Sequence, residues 1–178
     1  MNFIKQYPLL AGFFVFLLAG LWLSFVIRRR KLMFYEIPED DGEMKQASQQ
    51  ARETLEDFLR ILREPKKGQN GFSIKGRFQQ GDIVEHIWID DPKEEGSELL
   101  GNVGNDPVHI PGIKGGQSVR VRKSELSDWM FVEGGVLRGG FTIRVHFLRQ
   151  PPKTRRKLLK DLPFRIPELE RWQAGGIP

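Results

Sequence analysis

Twenty consecutive residues without a charge, "PLLAGFFVFLLAGLWLSFVI" at positions 8–27, constrain this chain more than any other feature. At about 1.5 Å per residue, a helix of that length covers the ~30 Å hydrocarbon layer of a bilayer. A core helix as long as this carries a polar stripe, and the run has none. The sequence therefore predicts a single transmembrane helix, with the lipid bilayer as the partner of residues 8–27. A cleaved signal peptide is the competing reading, but its apolar stretch is usually ~7–15 residues and ends in a small-x-small pattern. Here the stretch runs straight into Arg28, Arg29, Arg30 and Lys31. Lys5 is the only charged side chain on the other flank, so the positive-inside rule puts residues 28–178 in the cytoplasm. The absence of cysteine agrees with a reducing compartment.

The net charge of +5 suggests nucleic acid until it is divided along the chain. Residues 1–31 hold five cations and no acids, and the linker at 32–42 holds four acids and no cations. Residues 43–148 hold fifteen cations and sixteen acids; residues 149–178 hold eight cations and three acids. The excess therefore sits beside the membrane segment and in the proline-containing tail. A domain that is nearly neutral offers no broad basic face for tracking phosphates, which argues against nucleic acid as a partner of 43–148.

After the linker, Met44, Ala47, Ala51, Leu55, Phe58, Leu59 and Leu62 recur at steps of three and four. That is the apolar stripe of one amphipathic helix, with Asp41 as its N-cap and Pro65 as its stop. From Phe72 the period changes to two. "FSIKGRF", "IVEHIWI" and "SVRVR" read as strands, and the glycine-rich segment 96–117 reads as loops with one or two short strands. "WMFVEGGVLRGGFTIRVHF" reads as a hairpin turning at Glu133-Gly134-Gly135, with a bulge at Gly139-Gly140. Glycine turns between closely spaced strands favour antiparallel pairing. The predicted class is α+β: a transmembrane helix at 1–31, a linker at 32–42, and a domain at 43–148 with one helix packed on a curled, mostly antiparallel sheet. The tail at 149–178 reads either as a solvated extension or as a chain with a short helix over 153–162. Its cations suit anionic lipid.

Glu85 and His86 lie side by side among isoleucines, yet neighbours on a strand point to opposite faces. They cannot converge on one metal ion or one proton. Glu85 needs a partner, and Arg144 or Arg77 would supply one, either as a register-fixing ion pair or as a ligand-binding pair. His86, His109 and His146 show no metal-ligand spacing, and no phosphate loop is present, so no metal or cofactor is expected. Ser124, Ser127 and Asp128 could join a histidine only through geometry that sequence does not reveal. Asn105, Asp106, Ser127, Asp128 and Trp129 form two clusters suited to hydrogen-bonded turns or to a pocket rim, and Trp88 shares the face of His86.

Taken together, "FSIKGRF", "GDIVEHIWID", "LLGNVGNDP", "IKGGQSVRV", "SELSDWMFVEGG" and "LRGGFTIRV" resemble the bacterial family called domain of unknown function 2314, the YegJ-like proteins. The pieces fall in order over about 44–146. The resemblance implies a domain boundary and a bacterial source, hence the inner membrane as location. It implies no activity, cofactor or catalytic residue. The functional expectation is a non-enzymatic binding domain with a protein partner, of the accessory or immunity kind. The alternative is a hydrolase or transferase using Glu85, His86 or Asp128.

Overall fold

In a computed structural model of the chain, residues 41–173 are described. The stretch at 8–27, its basic flank and residues 32–40 of the linker lie outside the described residues. Among the described residues no helix is long and apolar enough to cross a membrane.

The helical stripe read from the sequence is real, but it is divided between two helices, α1 (Gly42–Glu53) and α2 (Leu55–Arg63). Asp41 caps the first, its carboxylate accepting the Met44 N–H at 3.0 Å. Met44, Ala47, Ala51, Leu55, Phe58 and Leu59 are all buried. The break at Thr54 has two physical causes. The Thr54 hydroxyl donates back to the Gln50 carbonyl at 2.7 Å, the local competition that bends helices at threonine. The Trp129 indole N–H donates to the Ala51 carbonyl at 2.9 Å, the acceptor that an unbroken helix would give to residue 55. Glu64, before Pro65, leaves the helical region at φ −136° and ψ 71° and closes the pair.

Six antiparallel strands form one sheet in the order β4-β3-β2-β1-β5-β6. They are β1 (Gln69–Gln80), β2 (Ile83–Glu95), β3 (Glu98–Val103), β4 (Ser118–Arg122), β5 (Leu126–Glu133) and β6 (Val136–Gly139). Three register shifts help curl it, one of them between Asn70 and Ser73, where β1 has one more residue than β5. Between Asp90 and Lys93, β2 has one more residue than β3. On β5, Ser127 is the extra residue, because Lys75 pairs with Asp128 while the next residue, Gly76, pairs with Leu126. Ile74, Ile87, Ile89, Leu126 and Phe131 turn toward the two helices and join their core. At its centre the Phe58 and Trp129 rings stack at 5.1 Å, and Phe131 stacks on Phe72 at 5.2 Å.

The hairpin predicted through residue 147 ends early. β6 stops at Gly139, and "FTIRVHF" belongs to a helix, α3 (Phe141–Arg149), despite its period of two. The expected bulge at Gly139-Gly140 is instead the exit from the sheet, with both residues at positive φ. Beyond α3 the chain forms α4 (Pro152–Lys160), matching the helical reading of the tail, and α5 (Pro167–Gln173). Arg165 bridges β6: Leu137 N–H donates to its carbonyl at 2.9 Å, and its own N–H donates to Gly135 at 2.8 Å. Phe164, Ile166 and Leu169 are buried.

Two ion clusters fasten the elements. The Arg149 guanidinium reaches Asp41 at 2.7 Å and Glu43 at 2.6 Å, tying the end of α3 to the start of α1. Arg63 grips Glu94 through both carboxylate oxygens at 2.7 and 2.9 Å, and Lys123 adds a contact at 2.6 Å. The hydrogen bond from Arg149, helped by the Met44 N–H, holds the Asp41 carboxyl down at about 2, from an ordinary 3.8. Arg63 first, then Lys123, holds Glu94 at about 2, from 4.5. A folded-state pKa below the unfolded one contributes stability above the unfolded value, and that stability disappears as pH falls through the folded one. The expected result is a thermal midpoint that drops as pH is lowered from about 5 to about 2, and drops less steeply in the Arg63→Met/Arg149→Met double variant. Equal slopes in the two proteins would show that these pairs do not set the acid limit.

Candidate functional site

β1 and its two neighbours bring most of the polar residues singled out above to the middle of the sheet. Glu85 sits on β2 opposite Phe78, and His86 sits opposite Arg77. The two side chains diverge, as strand geometry requires. Among the described residues, Glu85 has no arginine partner. It accepts three consecutive backbone N–H groups, Val108 at 2.8 Å, His109 at 2.9 Å and Ile110 at 3.2 Å. The carboxylate is thus a clamp on the loop between β3 and β4. Arg144, the partner expected for it, lies on α3 and donates to Glu168 and to the Gly140 carbonyl. The physical reason is the helix itself: a residue expected on a strand of the sheet was carried away from β2.

Asn105 and Asp106 are turn residues of that same loop. Asn105 is buried, its amide donating to the Asp106 carbonyl at 3.1 Å, and the Asp106 carboxylate accepts the Gly115 N–H at 2.7 Å. Gly104 N–H donates to the Trp88 carbonyl at 2.8 Å, so the loop is pinned to β2 at both Glu85 and Trp88.

On the His86 side of the sheet, a polar seam crosses three strands. Its members are Ser73 and Lys75 from β1, His86, Trp88 and Asp90 from β2, and Ser127 and Asp128 from β5. The Ser73 hydroxyl and the Asp90 carboxylate meet at 2.6 Å. The Lys75 ammonium lies 5.7 Å from the centre of the Trp88 ring, on whose strand it has its register partner. Trp88 is buried, and burial lowers the Lys75 pKa while the Asp128 charge works in the opposite direction. Asp128 is fully buried. It accepts the N–H groups of Trp129, Phe141 and Thr142 at 2.8, 3.1 and 2.8 Å, and the Thr142 hydroxyl at 2.6 Å. Burial raises its pKa, against the Thr142 hydrogen bonds and the Lys75 charge. Gly140 stands at the N-cap position of α3 without a side chain, and Asp128 does the capping from a different element. His146 on α3 shares this surrounding: burial first, then the cations Lys75 and Arg149, hold its pKa below the ordinary histidine value.

Ser127 and His86 are 2.9 Å apart, Oγ to Nδ1, the one pairing that resembles an activated nucleophile. The proton inventory argues otherwise. Ser127 Oγ also contacts the Lys75 carbonyl at 3.1 Å, and a carbonyl only accepts. With the serine proton donated to the Lys75 carbonyl, the tautomer that completes the contact is the one in which His86 Nδ1 donates to the serine oxygen. In that arrangement His86 cannot remove the Ser127 proton, and the buried Ser127 faces the protein.

Trp129 is core: 7% exposed, stacked on Phe58 and hydrogen-bonded to α1. The three histidines lie on β2, on the β3–β4 loop and on α3. Among the described residues no group of three or more metal-ligating side chains is assembled. Sequence reading missed Lys75 and Thr142. Lys75 occupies the polar side of an alternating strand, where a lysine reads as solvated, and nothing local announces a partner at position 128.

The comparisons with known proteins cover most of the described residues. The family described as "Uncharacterized protein conserved in bacteria (DUF2314)" matches residues 41–162, from the cap of α1 to just past α4. A putative ankyrin repeat protein of Neisseria meningitidis is 34% identical over 120 residues, 63% of this chain and 47% of that protein. The uncharacterized protein YegJ of Escherichia coli is 29% identical over 104 residues, 58% of this chain and 67% of its own length. The chain thus spans about half of the Neisseria relative. No solved structure matches. With the family's match running through α1 to α4, the whole sheet and the loop clamped by Glu85, the chain belongs to the DUF2314 family of uncharacterized proteins conserved in bacteria.

Proposed function

We propose that the chain is a non-enzymatic binding domain tethered by residues 8–27 to the cytoplasmic face of a bacterial inner membrane. One observation carries the non-enzymatic part. The side chains that could run a reaction are consumed by the protein's own groups: Glu85 by three N–H groups, Asp128 by four donors, and Ser127 by the Lys75 carbonyl. General acids, bases and nucleophiles need a proton or lone pair turned toward substrate. The uncharged run and its four-cation flank support the tether and its orientation. The Neisseria relative, named for ankyrin repeats, holds the matched domain in a longer chain, which suits a portable module.

The absence of cysteine makes the test direct. A single cysteine at Val108, an exposed residue whose backbone is fixed by Glu85, is placed in the full chain. In intact spheroplasts it resists a membrane-impermeant maleimide and reacts after lysis, and a photo-crosslinker attached there captures one discrete protein. Labelling of intact spheroplasts would reverse the topology. Hydrolysis of an ester or phosphoester panel that vanishes in Ser127→Ala would replace binding with catalysis.

A further inference from the structure

Five of the nine residues of α4 are cations, and four of them, Lys153, Arg156, Lys157 and Lys160, share one face. At ~100° per residue these four fall within an arc of about 100°, one face of the helix. All four are exposed, whereas Arg155, Leu158 and Leu159, on the other side, are half-buried. Arg155 hooks the helix onto the end of α3, donating to the carbonyls of Leu148 at 3.3 Å and Gln150 at 3.2 Å. The cationic face is therefore held outward. Elsewhere the domain neutralises its arginines: Arg63, Arg120, Arg138, Arg149 and Arg165 all carry ion pairs. Among the described residues, no carboxylate pairs with the four cations of α4.

The location of this face narrows its partner. Asp41, where the chain enters the domain, is bonded to Arg149, three residues before the start of α4. The basic helix thus begins close to Asp41, the first described residue of the domain. Residues 28–40 separate the apolar run from Asp41 and reach about 45 Å at full extension. A charged surface acts over about a Debye length, ~8–10 Å, so an untethered domain would meet a bilayer only briefly, whereas a tethered one meets it continuously.

We propose that the Lys153, Arg156, Lys157 and Lys160 face of α4 docks on anionic phospholipid headgroups of the membrane that holds the tether. The docking orients the domain and fixes which surfaces are turned to the cytoplasm. It rests on the tether reading given above and adds to it a contact that the tether alone does not require.

The experiment uses the full chain in vesicles of phosphatidylcholine, with or without about one third phosphatidylglycerol. A donor dye on Thr154→Cys reports energy transfer to acceptor-labelled lipid headgroups. Transfer rises with phosphatidylglycerol, falls in high salt, and the docked fraction drops about tenfold or more in K153E/R156E/K157E/K160E. Because the four residues are exposed, the variant keeps the wild-type melting temperature, which excludes unfolding as the cause. Equal transfer in both lipids, or a variant indistinguishable from wild type, overturns the docking. Flotation after alkaline extraction reads the tether separately. A chain that floats with both lipids but shows no lipid-dependent transfer keeps its tether and loses the docking. A chain retained only by phosphatidylglycerol, and released by salt, keeps the docking and loses the tether. Retention of duplex DNA that the quadruple variant abolishes, with lipid transfer unchanged, would assign the face to nucleic acid instead.

Discussion

Asp128→Ala is expected to lower the stability of the domain by about 3–5 kcal/mol, the range for removing one partner of a buried charged network. The substitution leaves the N–H groups of Trp129, Phe141 and Thr142 and the Thr142 hydroxyl without their acceptor. It also strips α3 of the anion at its N-terminus and removes the nearby charge that favours the buried Lys75 ammonium. Asp128→Asn is milder, about 2 kcal/mol, because one oxygen remains to accept while the new amide faces donors. If the Lys75 charge matters, Lys75→Met should recover part of the loss when combined with Asp128→Ala, a coupling that urea unfolding of the four proteins reads directly. The pH dependence runs opposite to that of Asp41 and Glu94. A carboxyl whose folded pKa is raised binds its proton more tightly in the folded state, so its contribution declines as pH climbs from 3.8 toward the raised value. The Asn variant lacks that decline. A loss below about 1 kcal/mol for Asp128→Ala would mean that α3 is held by packing rather than by its cap.

What could be read in advance was whatever repeats along the chain. The α1 and α2 stripe was legible because six buried positions recur at helical spacing, and the Asp41 cap because it immediately precedes them. The strands β1, β2, β4 and β5 were legible from alternation. The break at Thr54 was not, because its decisive participant, the Trp129 indole, comes from 75 residues away. The helix α3 was misread for a related reason. "FTIRVHF" alternates and contains β-branched residues, and its own cap position is a glycine; the signal that starts it there is the Asp128 carboxylate, 13 and 14 residues earlier on another element. That error also displaced Arg144 and produced the mistaken Glu85 pair. The divergence of Glu85 and His86 was legible, since it follows from strand geometry alone. Their partners were not, because a loop backbone and a bulged serine leave no mark in local sequence.

Gly139 and Gly135 share a conformation but not an environment, and alanine separates the two effects. Both have positive φ, 67° and 78° respectively, where an L side chain costs about 1–2 kcal/mol. A Cβ at Gly135 meets nothing within 4 Å, so Gly135→Ala is expected to lose only that amount. A Cβ at Gly139 would stand 2.2 Å from the Trp129 carbonyl oxygen and 2.3 Å from a carbon of its ring. The carbonyl cannot yield, since it accepts the Gly140 N–H at 2.7 Å where the chain leaves β6 for α3. Nor can the ring, which is stacked on Phe58 and hydrogen-bonded to Ala51. Relief therefore requires moving β6 away from β5 or expelling Trp129 from the core. Gly139→Ala is expected to lose more than about 4 kcal/mol, a large share of the stability of a domain this size, and to leave little folded protein at 37 °C. Thermal unfolding of the two variants beside wild type reads the difference, and comparable midpoints for Gly135→Ala and Gly139→Ala would show that the β5–β6 contact is looser than its geometry requires.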